Sequence, residues 1–136
     1  MPADLEQPVE ARLISAPSGR TMVVRLRYDT GDPIAVQLVF PGEGALNGEE
    51  TVWFFGRDLL EEGLAGPAGP GDVRIRPDGR GATVVELHAD AGMAVIEFDS
   101  AELRRFLLRS YDLVPLGEED GDRGIDRLLA ELLREV

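Results

Sequence analysis

Few side chains in this 136-residue chain are suited to bond-making chemistry. There is no cysteine, which removes thiolate nucleophiles, disulfides and sulfur-ligated metals together. His88 is the only histidine, so one chain cannot supply a multi-histidine metal site or a relay of two imidazoles. The carboxylates remain. Asp29-Thr30-Gly31 places one of them on a tight turn, and two such groups facing each other across a dimer would share a proton as an acid and base pair. Phe54-Phe55-Gly56-Arg57-Asp58-Leu59-Leu60 is a second segment of interest, with two apolar residues before Gly-Arg. The acidic run Glu118-Glu119-Asp120-Gly121-Asp122 offers hard oxygen ligands suited to Ca²⁺.

Each chemical reading competes with a structural one. Asp-Thr-Gly is the triplet of aspartic proteases, and the second segment resembles the retroviral type of that class. That fold must fit a flap hairpin and further strands between the two motifs, whereas positions 32–55 have room for about one strand and a loop. Asp32-Pro33 also follows where those proteases favour a small residue. The turn reading therefore prevails: Asp29 accepts from nearby amides, Gly31 takes a positive φ and Pro33 starts the next strand. A dimeric protease stays as a remote alternative. The acidic run lacks the spacing of a calcium loop and reads as a solvated linker that also donates a helix cap. His88 reads as a surface or cap residue at a strand end. No catalytic residue, cofactor site or metal site is assigned, and the chain is expected not to be an enzyme.

The chain length fits one domain with a real core, 43% of residues are hydrophobic, and mean hydropathy is -0.10. No apolar run is long enough to span a bilayer, and Met1 to Glu6 lack the features of a signal peptide, so a soluble cytoplasmic protein is expected. The net charge of -12 argues against nucleic acid as partner, since phosphate neutralisation carries most of that affinity. All 14 basic side chains are arginine, the residue better suited to bidentate pairing at interfaces.

The elements that must position these residues follow from hydrophobic period and turn chemistry. Strands are predicted over 9–16, 21–28, 34–40, 50–55, 72–76, 82–88 and 93–98, with Met22, Val24, Leu26 and Tyr28 on one face of the second. Pro77-Asp78-Gly79 and Asp90-Ala91-Gly92 mark tight turns. Asp58-Leu59-Leu60-Glu61 reads as a capping box and Gly63-Leu64 as a Schellman ending, giving a very short helix over 57–63. Asp99-Ser100-Ala101-Glu102 repeats the box, opening a helix that runs to about Tyr111. An acidic linker over 117–124 leads to a last helix over about 125–136, with Ile125, Leu128, Leu129, Leu132 and Val136 on one stripe. The expectation is one α+β domain over 1–136, core about 9–134. It has about seven mostly antiparallel strands in bent sheets, and helices at three places.

Three ordered blocks then resemble a known family. Leu26-Arg27-Tyr28-Asp29-Thr30-Gly31-Asp32-Pro33 with Ala35-Val36, Arg57-Asp58-Leu59-Leu60 with Gly63-Leu64, and Gly71-Asp72-Val73-Arg74-Ile75 with Pro77 are similar to motifs of the SsgA-like proteins of actinobacteria. The resemblance implies a small acidic cell-division protein acting in sporulation-linked septation, with no known catalytic residues. It implies a fold similar to the whirly type, assembled as a trimer or similar homo-oligomer, and located in the cytoplasm at the septum. The partners implied are the tubulin-like division GTPase FtsZ and other divisome or cell-wall proteins. In this reading Arg27, Tyr28, Asp29, Gly31, Asp32, Pro33, Arg57, Asp58, Leu59, Leu60, Gly63, Gly71 and Asp72 are structural. The alternative suggested by a whirly-like fold is a single-stranded nucleic-acid binder.

An adaptor needs an exposed surface. On the fourth strand Val52 and Phe54 are expected in the core, while Trp53 and Phe55, on the other side, are candidates for core and for a subunit interface alike. On the helix from 100, Leu103, Phe106, Leu107 and Tyr111 form the inward stripe and Leu108 falls outside it, which makes Leu108 a third interface candidate.

Overall fold

The computed structural model describes residues 4–15, 19–42, 49–118 and 132. Seven strands run β1 (Leu5–Leu13), β2 (Arg20–Asp29), β3 (Asp32–Phe40), β4 (Thr51–Gly56), β5 (Val73–Pro77), β6 (Ala82–Ala89) and β7 (Gly92–Asp99). Helix α1 (Arg57–Ala65) follows β4, and α2 (Ser100–Leu113) follows β7. All pairings are antiparallel, in the order β4-β3-β2-β1-β7-β6-β5. The helix expected over 125–136 lies outside the described residues apart from Leu132, as does most of the acidic linker.

Two meanders, β1–β4 and β5–β7, each end in a helix, as the sequence pattern implies. They join into one sheet through Ala11–Phe98, Arg12–Glu97 and Leu13–Ile96. β1 begins four residues earlier than expected. Leu5 and Gln7 continue the buried face, but Pro8 interrupts the strand signal. Pro8 is tolerated because this part of β1 has a strand on one side only.

Alternation divides the sheet cleanly. The inner face carries Leu5, Val9, Ala11, Val24, Leu26, Tyr28, Val36, Leu38, Phe55, Ile75, Val85, Leu87, Ile96 and Phe98. Leu60 of α1 and Leu103, Phe106 and Leu107 of α2 pack into the same cluster. Both helices therefore cover one face, and no helix lies on the opposite face among the described residues.

The first helix corrects three expectations. Its N-cap is Gly56, with no side-chain cap, and Asp58 lies in the first turn. β4 runs straight into α1, so Arg57 becomes the first helical residue. The helix also continues past Gly63 to Ala65, and its C-cap Gly66 is fully extended (φ -175°). Gly63 is needed for clearance instead: a Cβ there would come within 2.3 Å of Ile75 Cγ2. Gly31, too, lacks the positive φ expected of it. Thr30 and Gly31 still form the two-residue loop of the β2–β3 hairpin, with Asp29 paired to Asp32. The second cap agrees with the sequence reading: Asp99 Oδ1 accepts from the Ala101 amide at 2.9 Å.

Gly63→Ala is expected to destabilise the protein by roughly 1–3 kcal/mol, because overpacking against Ile75 outweighs the gain of about 1 kcal/mol in helix propensity. Urea unfolding measures this; an unchanged or raised midpoint would show that α1 and β5 can move apart freely.

Candidate interaction surface

The motif residues meet around one buried cation. Arg57 is 1% exposed. Its Nη1 donates to the Val114 carbonyl at 2.7 Å, to the Ser110 carbonyl at 3.2 Å and weakly to Ser110 Oγ at 3.5 Å. The Ser110 carbonyl also accepts from the Val114 amide at 2.9 Å, so Arg57 is its second donor; both acceptors lie at the end of α2, where the helix dipole favours positive charge. The guanidinium carbon lies 4.7 Å from the Tyr111 ring centroid and 5.2 Å from that of Tyr28. Tyr28 is fixed in turn, its hydroxyl donating to the Pro33 carbonyl at 2.7 Å. Burial, then the Glu61 carboxylate, push the Tyr111 phenol up to about 12. The phenol is therefore neutral at any physiological pH.

The other motif residues hold turns and packing. Asp29 accepts from Gln37 Nε2 at 3.1 Å. The Thr30 amide and hydroxyl both donate to Asp4 Oδ2, at 2.8 and 2.6 Å, which anchors the loop to the start of β1 and lowers the Asp4 pKa. Leu60 is buried and Leu59 is partly buried against the core. The Gly71 carbonyl accepts from Arg74 Nε at 3.2 Å, and the Asp72 carbonyl from the His88 amide at 2.8 Å. His88 Nε2 meets Glu86 Oε1 at 3.0 Å, and Arg76 pairs with the same carboxylate. The His88 bond first, and Arg76 second, hold the Glu86 pKa below its ordinary value.

Gln7 had no signal in the sequence beyond its place in an alternating strand. It is 5% exposed on the inner face. Its Nε2 donates to the Glu102 carbonyl at 2.9 Å, and its Oε1 accepts from Arg109 Nη1 at 3.1 Å. This clamps α2 onto β1.

The interface candidates are placed differently from expectation. Phe55 is a core residue at 8% exposure, and Trp53 is partly buried on the same inner face. Val52 and Phe54, expected inside, are 39% and 58% exposed. An all-apolar strand carries no alternation to show which face turns inward, and the helices decided it. Leu108 is 59% exposed on α2, as its off-stripe position implies.

Register lines up the outer face in rows. Phe54, Gln37, Arg27 and Glu6 form one row, and Val52, Val39, Arg25 and Pro8 the next. Val23, exposed, lies two residues along β2 from Arg25. Arg25 bonds Glu6 at 2.9 Å and also pairs with Glu50. Arg27 Nε is buried without a hydrogen-bond partner among the described residues. On the inner face, beyond the helices, Leu13, Met22, Phe40, Trp53, Leu87 and Ala94 line an apolar hollow of about 240 Å³.

This is an α+β protein whose distinctive polar residues fasten turns and helix ends while apolar side chains stand exposed on an open sheet. Residues 22–119 match the family model described as Streptomyces sporulation and cell division protein, SsgA. The chain belongs to the SsgA family. It is 41% identical over 127 residues to the sporulation-specific cell division protein SsgB of Streptomyces coelicolor, covering 90% of each. It is 38% identical over 135 residues to SsgB of Kineococcus radiotolerans, covering 96% of this chain and 79% of the relative. A solved structure from work on SsgB mutations that correlate with longitudinal cell division in S. coelicolor superposes with a TM-score of 0.75. It is 38% identical and covers 87% of this chain and 94% of its own. The SsgA-like sporulation-specific cell division protein of Thermobifida fusca superposes at 0.73 with 34% identity, covering 93% of each chain. A role in sporulation cell division follows from these relatives. Among the described residues no helix is long and apolar enough to cross a membrane.

Arg57→Met is expected to cost roughly 2–4 kcal/mol, since the Val114 carbonyl loses the bond from Arg57, the Ser110 carbonyl keeps only the Val114 amide, and the stack between the two tyrosines is lost. Arg57→Lys should recover only part of this, because one ammonium cannot also stack between two rings. Chemical denaturation measures both, and a neutral Arg57→Met would overturn the role assigned to Arg57. For Glu86 the folded pKa is depressed, so its stabilising contribution is present above the unfolded value, near 4.5, and is lost as pH falls through the folded one. Glu86→Gln should therefore lose less melting temperature between pH 7 and pH 3 than the parent; equal losses would refute the linkage.

Proposed function

We propose that this protein is a non-enzymatic adaptor of sporulation-linked division, which brings the tubulin-like GTPase FtsZ, or wall-synthesis proteins, to the future septum. The supporting observation is the outer sheet face, which carries no helix among the described residues and exposes apolar side chains. Phe54, Val52 and Val23 stand exposed beside Arg27, a combination of aromatic, aliphatic and arginine anchors typical of binding surfaces. The buried position of Arg57 and the hairpin setting of Asp29 support structural roles for the two segments that invited a protease reading. The strongly acidic charge weighs against the nucleic-acid alternative. Self-association belongs to the same proposal, with Leu108 on the free side of α2 as its anchor.

Purified actinobacterial FtsZ polymers should carry the protein into the pellet, and a single-stranded DNA probe should not shift at moderate salt. The opposite pattern would replace the adaptor by the nucleic-acid binder. Phe54→Asp should weaken co-sedimentation by roughly tenfold with its melting temperature unchanged. Leu108→Asp should lower the mass measured by light scattering while leaving the fold intact; an unchanged mass would remove Leu108 from any subunit contact.

A further inference from the structure

The two edges of the sheet are treated differently. β5 carries Arg74, Arg76 and Pro77, and the loop before it covers its outer side. Ala68 and Ile75 exchange backbone hydrogen bonds there, at 2.8 and 2.9 Å. Charges, proline and a covering loop are the devices that keep an edge strand from pairing with another chain. β4, at the other edge, has none of them among the described residues. Thr51-Val52-Trp53-Phe54-Phe55-Gly56 contains no charge and no proline, and its pairing with β3 runs without a register shift. Among the described residues no strand lies beside its outer edge.

We infer that the outer edge of β4 takes up an extended peptide from a partner protein as an eighth strand. The peptide would be apolar in its middle and basic at its ends. Main-chain hydrogen bonds would supply affinity, and the two faces of β4 would read alternate side chains. One set would lie beside exposed Val52 and Phe54, and the other beside Trp53 at the apolar hollow. Charge sets the flanks. Glu49 and Glu50 precede β4, with Glu50 sharing Arg25 with Glu6, and the helix leaving its far end exposes Asp58, Glu61 and Glu62. A six-residue added strand spans about 20 Å, the length of β4 between the two acidic groups. The net charge of -12 further steers basic segments toward the protein.

The inference rests on the adaptor reading, and the two fail separately: loss of FtsZ co-sedimentation removes the adaptor, whereas the following experiment tests only the strand edge. The probe is a labelled ten-residue peptide with two arginines at each end and alternating valine and threonine between. Fluorescence anisotropy should show binding to the full chain at low salt, with the amides of residues 51–56 slowed in hydrogen exchange. Phe54→Lys and Val52→Lys change exposed side chains, so they should keep the parent circular dichroism, yet each should weaken binding roughly tenfold or more. A peptide with proline at alternate positions should not bind, and one with glutamate ends should bind much more weakly. Absence of binding, binding without protection of β4, or equal binding by the lysine variants would overturn the proposal. So would β4 amides already protected in the peptide-free protein, whether by a second copy at high concentration or by the chain's own C-terminal segment.

Discussion

The fold depends on a positive charge placed where a helix ends. Arg57 opens α1 and closes α2: it belongs to the first meander, but its hydrogen bonds go to the last carbonyls of the helix that follows the second. Between the meanders the sheet itself is continuous only through one short stretch of β1 and β7. The arginine therefore works as a second joint, set beneath the helices. Full burial of a guanidinium is tolerable because its charge meets the negative end of a helix and two aromatic faces. Tyr28 and Tyr111 come from opposite halves, so the stack also ties the halves together.

That joint explains why so much polar chemistry in this chain is directed inward or into turns. Gln7 fastens α2 to β1, Asp4 fastens the β2–β3 loop, and Asp78 gathers the amides of Arg80 and Ala82. Those two amides hold the Asp78 pKa down. Asp4 and Asp78 satisfy backbone donors that the connections would otherwise leave open. With its distinctive polar residues committed to the frame, what the described residues offer outward is surface: exposed apolar side chains on one sheet face, the edge of β4 and Leu108 on α2. This suits the sporulation cell-division family to which it belongs.

The placement of the helices on one side decides the character of that surface. A seven-stranded antiparallel sheet must bury one face, and both helices bury the face carrying Tyr28 and Phe55. The other face is protected by its own composition in the second half. There Arg12 pairs with Glu97 at 3.4 Å, and Glu86 gathers Arg76 and His88. In the first half the same face keeps Val23, Val52 and Phe54 exposed. The two meanders are alike in plan and differ in how many apolar side chains this face exposes, Met93 being the exposed one in the second half.

Much of this architecture was legible in the chain. Period-two alternation, or for β4 an apolar run bounded by loop residues, located the seven strands, turn chemistry at Asp78-Gly79 and Gly92 set the hairpins, and Asp99 marked the start of α2. These signals are local, and local hydrogen bonds and steric preferences enforce them wherever the segment lies. What depended on distant neighbours was decided only by packing. A capping-box pattern at Asp58 lost to the strand that runs directly into α1. Gly63, read locally as a helix stop, exists to let Ile75 approach. The uniformly apolar β4 could present either side until the helices chose one. A polar side chain such as Gln7 or Arg57 gives no sign in the sequence of being buried, because burial is set by what the rest of the chain brings against it.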